Sequence, residues 1–364
     1  MNRLVEYAEN QARLLKRRAL ECRIRMLSKR DWNARFAKIY AHNPAYAQPV
    51  DTKVERQYVA YWQRLRHDVS LDTLRVCAGI SGHADHRIIP EDIYVTEIER
   101  RLNARTDVAF LQHKSVYQRW FGEEAAFPEV YLHKIDGVWY DARLEQLSED
   151  QVDPLIVSLP YPVVVKPNVD SFGGQGVYFP DRASSLRECL LGHRDVIVQE
   201  RIQPHPYFAR LSPVGVNTFR VCLYRSVETN QLHILNTALR MGQGGSLDNE
   251  TAGGIVCYCD ESGRLNSYAV DKYGVKCEKH PDAGIAFAEM EPIPDFSGMR
   301  NLALQVAAGI FPCRLMSLDL CLDAAGRWRT IEINLFNQTI RFSQYAGKPF
   351  FGDFTDEVVE YCMR

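Results

Sequence analysis

What this sequence lacks narrows its function before any motif is read. No stretch approaches the roughly 18 uninterrupted apolar residues of a membrane-spanning helix, and the opening Met1-Asn2-Arg3-Leu4-Val5-Glu6 has none of the apolar core of a signal peptide. The expectation is a cytoplasmic protein with no membrane partner. Charge of one sign is also missing. The 44 Lys and Arg against 46 Asp and Glu leave a formal net charge of -2, so composition offers no global argument for nucleic-acid binding. Ten cysteines are present, yet none is paired as Cys-x-x-Cys, and Cys257-Tyr258-Cys259 has no second half. Free thiols in a reducing compartment are expected, rather than disulfides or zinc. A nucleophile beside a recognisable base is absent too.

What is present is ordinary globular composition, 46% hydrophobic and 25% charged over 364 residues, enough for two or three domains. The first forty residues hold a local basic excess, with Leu4, Tyr7, Ala8, Leu14, Leu15, Ala19, Cys22 and Met26 at helical spacing. This predicts a long basic amphipathic helix. Packing against the body is the favoured reading, and an anionic partner stays open. A second helix is expected over Thr52–His67, and a loop around Gly79–His86, where His83, Asp85 and His86 read as surface polar residues rather than a metal site.

Two stretches carry the chemistry. Leu315–Asn334 alternates strictly, with Ser317, Asp319 and Cys321 on one face and Met316, Leu318, Leu320 and Leu322 on the other, and turns at Asp323–Gly326. It predicts a hairpin. Without a bulge, residues whose numbers sum to about 651 oppose each other, so Asp319 faces Glu332 and Asn334 lies two residues along on the same face. Opposed carboxylates repel unless a cation lies between them, and a hard oxygen set of this kind suits Mg2+; the plainer alternative is a solvated outer face. Upstream, the apolar strand Val163–Lys166 is stopped by Pro167 and followed by Gly173, Gly174, Gln175 and Gly176. Such glycines let backbone N–H groups approach a phosphate, and Lys166 adds a point charge. The loop matches neither the Walker pattern nor the dinucleotide fingerprint.

The order of these parts, lysine-ended strand, glycine loop, then a distant Asp with Glu-x-Asn, resembles the ATP-grasp superfamily. The likeness runs from about Ile89 to the C-terminus. Asn217-Thr218-Phe219-Arg220, Arg240-Met241-Gly242-Gln243-Gly244-Gly245, Asp248-Asn249 and Gly253-Gly254 make the chain most similar to the sugar-transfer-associated branch. The resemblance implies an α/β (α+β) ATP-grasp fold, two α+β lobes clamping a nucleotide, with an added helical N-terminal region. The domains would be a helical region 1–88, a lid and linker region 89–200 carrying the glycine loop, and a catalytic domain 201–364. It implies ATP and Mg2+ as cofactors. The metal would be held by Asp319, Glu332 and Asn334, the phosphates by Lys114, Lys166 and the glycine loop, and adenine by Gln199, Glu200 and Ile202 at the end of the 196–202 strand. The family usually has an acid just before the lysine corresponding to Lys114, where this chain has His113; a surface lysine is the alternative there.

Arg220 stands within Phe219, Val221 and Leu223, and a buried guanidinium needs an anion. Either it holds the γ-phosphate or the reacting carboxyl group, with Arg240 assisting, or each pairs with a neighbouring acid. Glycine-rich Met241–Gly254 reads as a substrate loop that closes on binding. Asn337, Gln338, Thr339 and Arg341 are placed to read an acceptor, and Phe342, Tyr345, Phe350, Phe351 and Phe354 form its pocket or the core of a closing helix. The expected activity is ATP-dependent joining of a small carboxylate and an amine through an acyl phosphate, with Lys166, Arg220 and Arg240 assisting catalysis. A kinase acting on a hydroxyl and a nucleotide-binding module without turnover are the alternatives.

Overall fold

The computed structural model describes residues 2–66, 68–105, 107–169, 176–212, 215–245, 248 and 253–364. They fall into two units. One holds the residues up to Ala104 with Tyr273–Val275 and Thr339–Arg364, and the other holds Arg105–Lys272 and Lys276–Gln338.

The first unit is helical. α1 spans Asn2–His42, α2 Thr52–Trp62 and α3 Asp72–Ser81. Asp51 starts α2 by accepting the Lys53 backbone N–H at 2.7 Å, and Gly82 ends α3 in the left-handed region at φ 77°. The second helix therefore stops five residues short of expectation, and the expected 79–86 loop begins only after Ser81. Gly79 admits the Tyr46 ring, which a Cβ there would meet at 2.4 Å. Short α-helical turns flank a π-helical stretch at Tyr94–Ile98, and Arg25 of α1 reaches Glu97 through two bonds of 2.7 and 2.9 Å. The aromatic tail is core here. Phe350 and Phe351 are each 1% exposed, and Phe350 meets Tyr94 edge to face.

The second unit contains two antiparallel sheets. The smaller runs β2-β1-β4-β3, from β1 (Val130–Ile135), β2 (Val138–Asp141), β3 (Val163–Pro167) and β4 (Val196–Glu200). Asp136 and Gly137, at φ 49° and 87°, make the tight β1–β2 turn that the Asp-Gly pair predicts. The larger runs β11-β10-β5-β6-β7-β8-β9. Its members are β5 (Phe219–Arg225), β6 (Leu232–Met241), β7 (Ile255–Cys259), β8 (Leu265–Val270), β9 (Lys276–Cys277), β10 (Leu315–Leu322) and β11 (Trp328–Asn334). The helix Phe296–Ala308 contributes Met299, Ala303 and Val306 to the same apolar core as Val221, Leu239 and Leu318. Period-two alternation then sends Arg220, Arg240, Asp319, Glu332 and Asn334 to the opposite face.

All eight residues of β10 are buried, because the strand lies between β11 and β5. The solvated-face alternative for Ser317, Asp319 and Cys321 is thereby excluded. Residues 107–121 form no continuous helix. They make 3-10 turns at Asp107–Gln112 and Lys114–Val116, then a short helix Tyr117–Phe121, so Lys114 opens a tight turn. All ten cysteines are free. Among the described residues no helix is long and apolar enough to cross a membrane.

Leu318 is fully buried in the central strand, so Leu318→Ala should cost about 3 kcal/mol through lost transfer energy and an unfilled cavity. A urea midpoint unchanged from wild type would contradict this placement of the core.

Candidate active site

The hairpin register gathers the site. Ser317 opposes Asn334, Leu318 opposes Ile333 and Asp319 opposes Glu332, as the alternation predicts. Beyond that the no-bulge assumption fails. Leu320 opposes Thr330 and Leu322 opposes Trp328, so Ile331 is an extra residue in β11 and the turn centres on Ala325. On the other side of β10, Asp319 opposes Arg220 of β5, which opposes Ala238 of β6, two residues before Arg240.

This register makes Asp319 a hub. Arg220 gives its carboxylate a two-pronged contact, Nε to Oδ1 at 2.5 Å and Nη2 to Oδ2 at 3.0 Å, and Arg240 Nη2 adds a third bond at 3.0 Å. Burial alone would raise the Asp319 carboxyl, but the two guanidiniums hold it below the ordinary carboxylate range. Of the alternatives read from sequence, the structure pairs both arginines with a neighbouring acid. The Thr218 hydroxyl accepts from Arg240 Nε at 3.1 Å and Nη2 at 2.9 Å, and the Thr218 N–H donates to Asp248 at 2.7 Å.

Glu332, less deeply placed, takes the Lys114 ammonium at 3.0 Å; the two side chains are 26% and 2% exposed. Lys114 is held there by Asn168. That residue accepts the Lys114 N–H through its carbonyl at 3.0 Å and the Ser115 hydroxyl through Oδ1 at 2.6 Å, while its Nδ2 donates to carbonyls of Lys134 and Val196. His133 hydrogen-bonds the same hydroxyl at 2.8 Å, and burial pushes its imidazole down to about 4. Lys166, at the end of β3, donates to the Ile331 carbonyl at 3.3 Å. Burial, reinforced by the Lys114 charge, lowers its ammonium from 10.5 to about 8.

A cavity of about 740 Å³ includes Lys114, Lys166, His133, Gln199, Glu200, Arg329 and Ile331 in its lining, within the size range of small-molecule sites. Glu200 is tied to Arg329 by bonds of 3.0 and 2.8 Å and accepts the Glu129 N–H at 2.9 Å. Ile202 is buried outside that lining, beyond the end of β4. Gly173, Gly174 and Gln175 lie outside the described residues, as does much of the expected 241–254 substrate loop, while Gly176 packs against Pro167 at φ 72°. Gln338 bridges the Ser317 hydroxyl and the Asn334 carbonyl at 2.6 Å each. Sequence reading missed Asn168, Ser115, His133, Thr218 and Arg329. The polar Asn168 directly after a strand-ending Lys-Pro was the one available signal.

The donor set fits a hard divalent cation. Two carboxylates and an amide share one face, and among the described residues the buried Asn334 Nδ2 has no hydrogen-bond partner. Among the described residues no three His, Cys, Asp or Glu side chains gather into a metal-holding group, and the fit rests on Asn334 as the third donor.

Because the Lys166 ammonium is depressed, the folded state binds fewer protons than the unfolded state between about pH 8 and 10.5. Stability should rise across that window, and the penalty should be fully present below it. Lys166→Met should therefore be more stable than wild type at pH 7, by on the order of 3 kcal/mol at most, with the gain shrinking above pH 8. Denaturation midpoints at pH 7 and 10 measure this; a variant less stable than wild type at pH 7 contradicts it.

Comparison with known proteins bears on this site. No curated protein matches the chain. Among solved structures it is similar to N5-carboxyaminoimidazole synthetase from Staphylococcus aureus complexed with ADP, at TM-score 0.42 and 10% identity over 69% of this chain and 52% of that one. It is likewise similar to an L-amino acid ligase from Bacillus licheniformis, at TM-score 0.40 and 13% identity over 70% and 49%. The chain spans about half the length of these proteins. The family model described as sugar-transfer associated ATP-grasp matches residues 94–353, which include every site residue named above. The chain belongs to the sugar-transfer associated ATP-grasp family.

Proposed function

We propose that the protein is an ATP-dependent carboxylate–amine ligase that forms an amide through an acyl phosphate and releases ADP and phosphate. The observation that carries this reading is the cationic cluster of Lys114, Lys166, Arg220 and Arg240 around the Asp319 and Glu332 carboxylates, two of its members lining a nucleotide-sized cavity. In this reading the helical region is 1–88, the lid and linker region 89–200 and the catalytic domain 201–364. Gln199 and the end of β4 take adenine, with Glu200 held in place by Arg329 and Ile202 as backing. A cytoplasmic setting suits the ten free thiols.

Lys166 and Lys114 offset the charge of the β- and γ-phosphates from fixed positions, Lys166 beside the Ile331 carbonyl and Lys114 on its Asn168-anchored turn. Arg220 and Arg240, immobilised by Asp319, orient the substrate carboxylate for attack on the γ-phosphorus; the bond to the β-phosphate oxygen breaks and ADP departs. The amine nitrogen then attacks the acyl carbon, phosphate leaves with the bonding pair, and the nitrogen loses a proton. Glu332, Asn334 and Asp319 would hold Mg2+, which supplies charge neutralisation at the phosphate oxygens. Both carboxylates on this face are ion-paired, which favours the ligase over a kinase, since a kinase needs a general base for its hydroxyl.

Hydroxylamine separates the two. An acyl phosphate is intercepted as a hydroxamate, whereas a phosphate ester is inert. With ATP, Mg2+ and an acid identified from a substrate screen, but no amine, the protein should accumulate hydroxamate with ADP and phosphate, and Glu332→Ala should lower the rate by about a hundredfold or more. Phosphorylated product without hydroxamate would move the protein to the kinase reading, and release of AMP and pyrophosphate would reject the acyl phosphate.

A further inference from the structure

Two rows of side chains cross the sheet face that carries Asp319, and only one of them is charged. Glu332, Asp319, Arg220 and Ala238 are successive register partners on β11, β10, β5 and β6. Two residues along the same strands, Asn334, Ser317, Cys222 and Asn236 are register partners in turn. This second row is neutral throughout and spans roughly 14 Å at the usual strand spacing. The Ser317 hydroxyl donates to Gln338 at 2.6 Å, and Asn334 is a candidate cation donor. Asn236 has no such role. It is 6% exposed, and its Nδ2 makes no hydrogen bond among the described residues. A buried amide N–H left unmet lowers the stability of a fold, and one kept on a strand inside the sheet calls for an explanation.

Alternation along β6 puts Asn236 on the same face as Arg240, and its register partner Cys222 lies on the face of Arg220. Asn236 is the diagonal neighbour of Arg220, at a Cα separation of about 7–8 Å. In the proposed reaction Arg220 orients the substrate carboxylate, so a group a few bonds from that carboxylate comes within reach of Asn236. We propose that Asn236 reads the acid substrate, and that this acid carries a neutral oxygen acceptor, a hydroxyl or a carbonyl, a few bonds from its reacting carboxylate. This rests on the ligase reading. The acceptor takes the Nδ2–H that the chain leaves unmet. The row also selects against other acids. A second carboxylate would be buried over four uncharged residues with no cation among them, and an ammonium would meet a donor where it needs an acceptor. An unsubstituted acid would leave the buried N–H without a partner. The class that fits is a hydroxy acid or an N-acylated amino acid, rather than a dicarboxylate or a free amino acid.

The test has a kinetic arm and a stability arm. Panels of hydroxy acids, N-acetylated amino acids, unsubstituted acids of matching chain length, dicarboxylates and free amino acids are offered with ATP, Mg2+ and hydroxylamine, and hydroxamate is measured. In wild type, kcat/KM for the best hydroxy or N-acetylated acid should exceed that of its unsubstituted counterpart by about tenfold or more. Asn236→Ala, which leaves room for any acid, should lower kcat/KM for the acceptor-bearing acid by about tenfold and that of the unsubstituted one by no more than about twofold. Asn236→Leu, of nearly equal size, should show a urea midpoint equal to or above wild type, because it removes an unmet buried donor. A midpoint clearly below wild type overturns the proposal and makes Asn236 a structural residue, satisfied by a buried water. A wild-type preference for unsubstituted acids, dicarboxylates or free amino acids, or an equal loss on all acids in Asn236→Ala, overturns it as well. Hydroxamate from no acid at all overturns the ligase reading and this assignment with it, whereas hydroxamate without discrimination overturns this assignment alone.

Discussion

Two carboxylates side by side on neighbouring strands set the terms for everything around them. Asp319 and Glu332 are register partners on β10 and β11, and at that spacing their charges repel. Leaving Asp319 unpaired at its depth would cost several kcal/mol. The fold answers from three directions. Arg220 and Arg240 come from β5 and β6 of the same sheet, and Lys114 comes from the 3-10 turn before the smaller sheet. Lys166 adds a further charge at the end of β3, without an ion pair among the described residues and with its ammonium depressed by burial. A chain that buries a cation in such a place gives up stability for it.

The supporting shell explains why these heads can be held so closely. Asn168 uses its carbonyl, Oδ1 and Nδ2 to fasten the Lys114 turn to β1 and β4 of the smaller sheet. Thr218 does comparable work for Arg240, and its own N–H is taken by Asp248, so the glycine-rich segment after β6 is wired to the arginine that touches Asp319. Arg329 joins Glu200 of the smaller sheet to Asp323 in the hairpin turn. Each is a fully or largely satisfied polar network, the condition under which buried polar groups rigidify a site instead of weakening it.

Much of this was legible in the sequence, for identifiable reasons. The Asp319–Glu332–Asn334 row follows from period-two alternation and hairpin symmetry, both local properties. Lys166 was legible from a strand ending in lysine before a glycine loop, and family resemblance led to Lys114. The bulge at Ile331 was not legible, because a single unpaired residue leaves the alternation of Glu332 and Asn334 untouched and shifts only the half nearer the turn. Nor was the Arg220–Asp319 pair distinguishable from an arginine awaiting phosphate, since the choice depends on which strand lies beside β10. The tail after Gln338 belongs with the helical unit, and that assignment needs contacts such as Phe350 with Tyr94 that are far apart in the chain.

The bulge also accounts for a division of labour within the site. β10 lies inside the sheet, bonded on both sides, so Asp319 has little freedom and its partners come from neighbouring strands in fixed register. β11 is the edge strand, where an extra residue is tolerated because only one side of the ladder must be kept. The extra residue is Ile331, whose carbonyl takes Lys166 and which directly precedes Glu332. An edge strand bulged at that point can present a lysine-binding carbonyl and, one residue later, a partly exposed carboxylate. A regular strand would alternate without interruption and carry no spare residue beside Glu332. The fully buried acid therefore sits in the interior of the sheet and the partly exposed one at its edge.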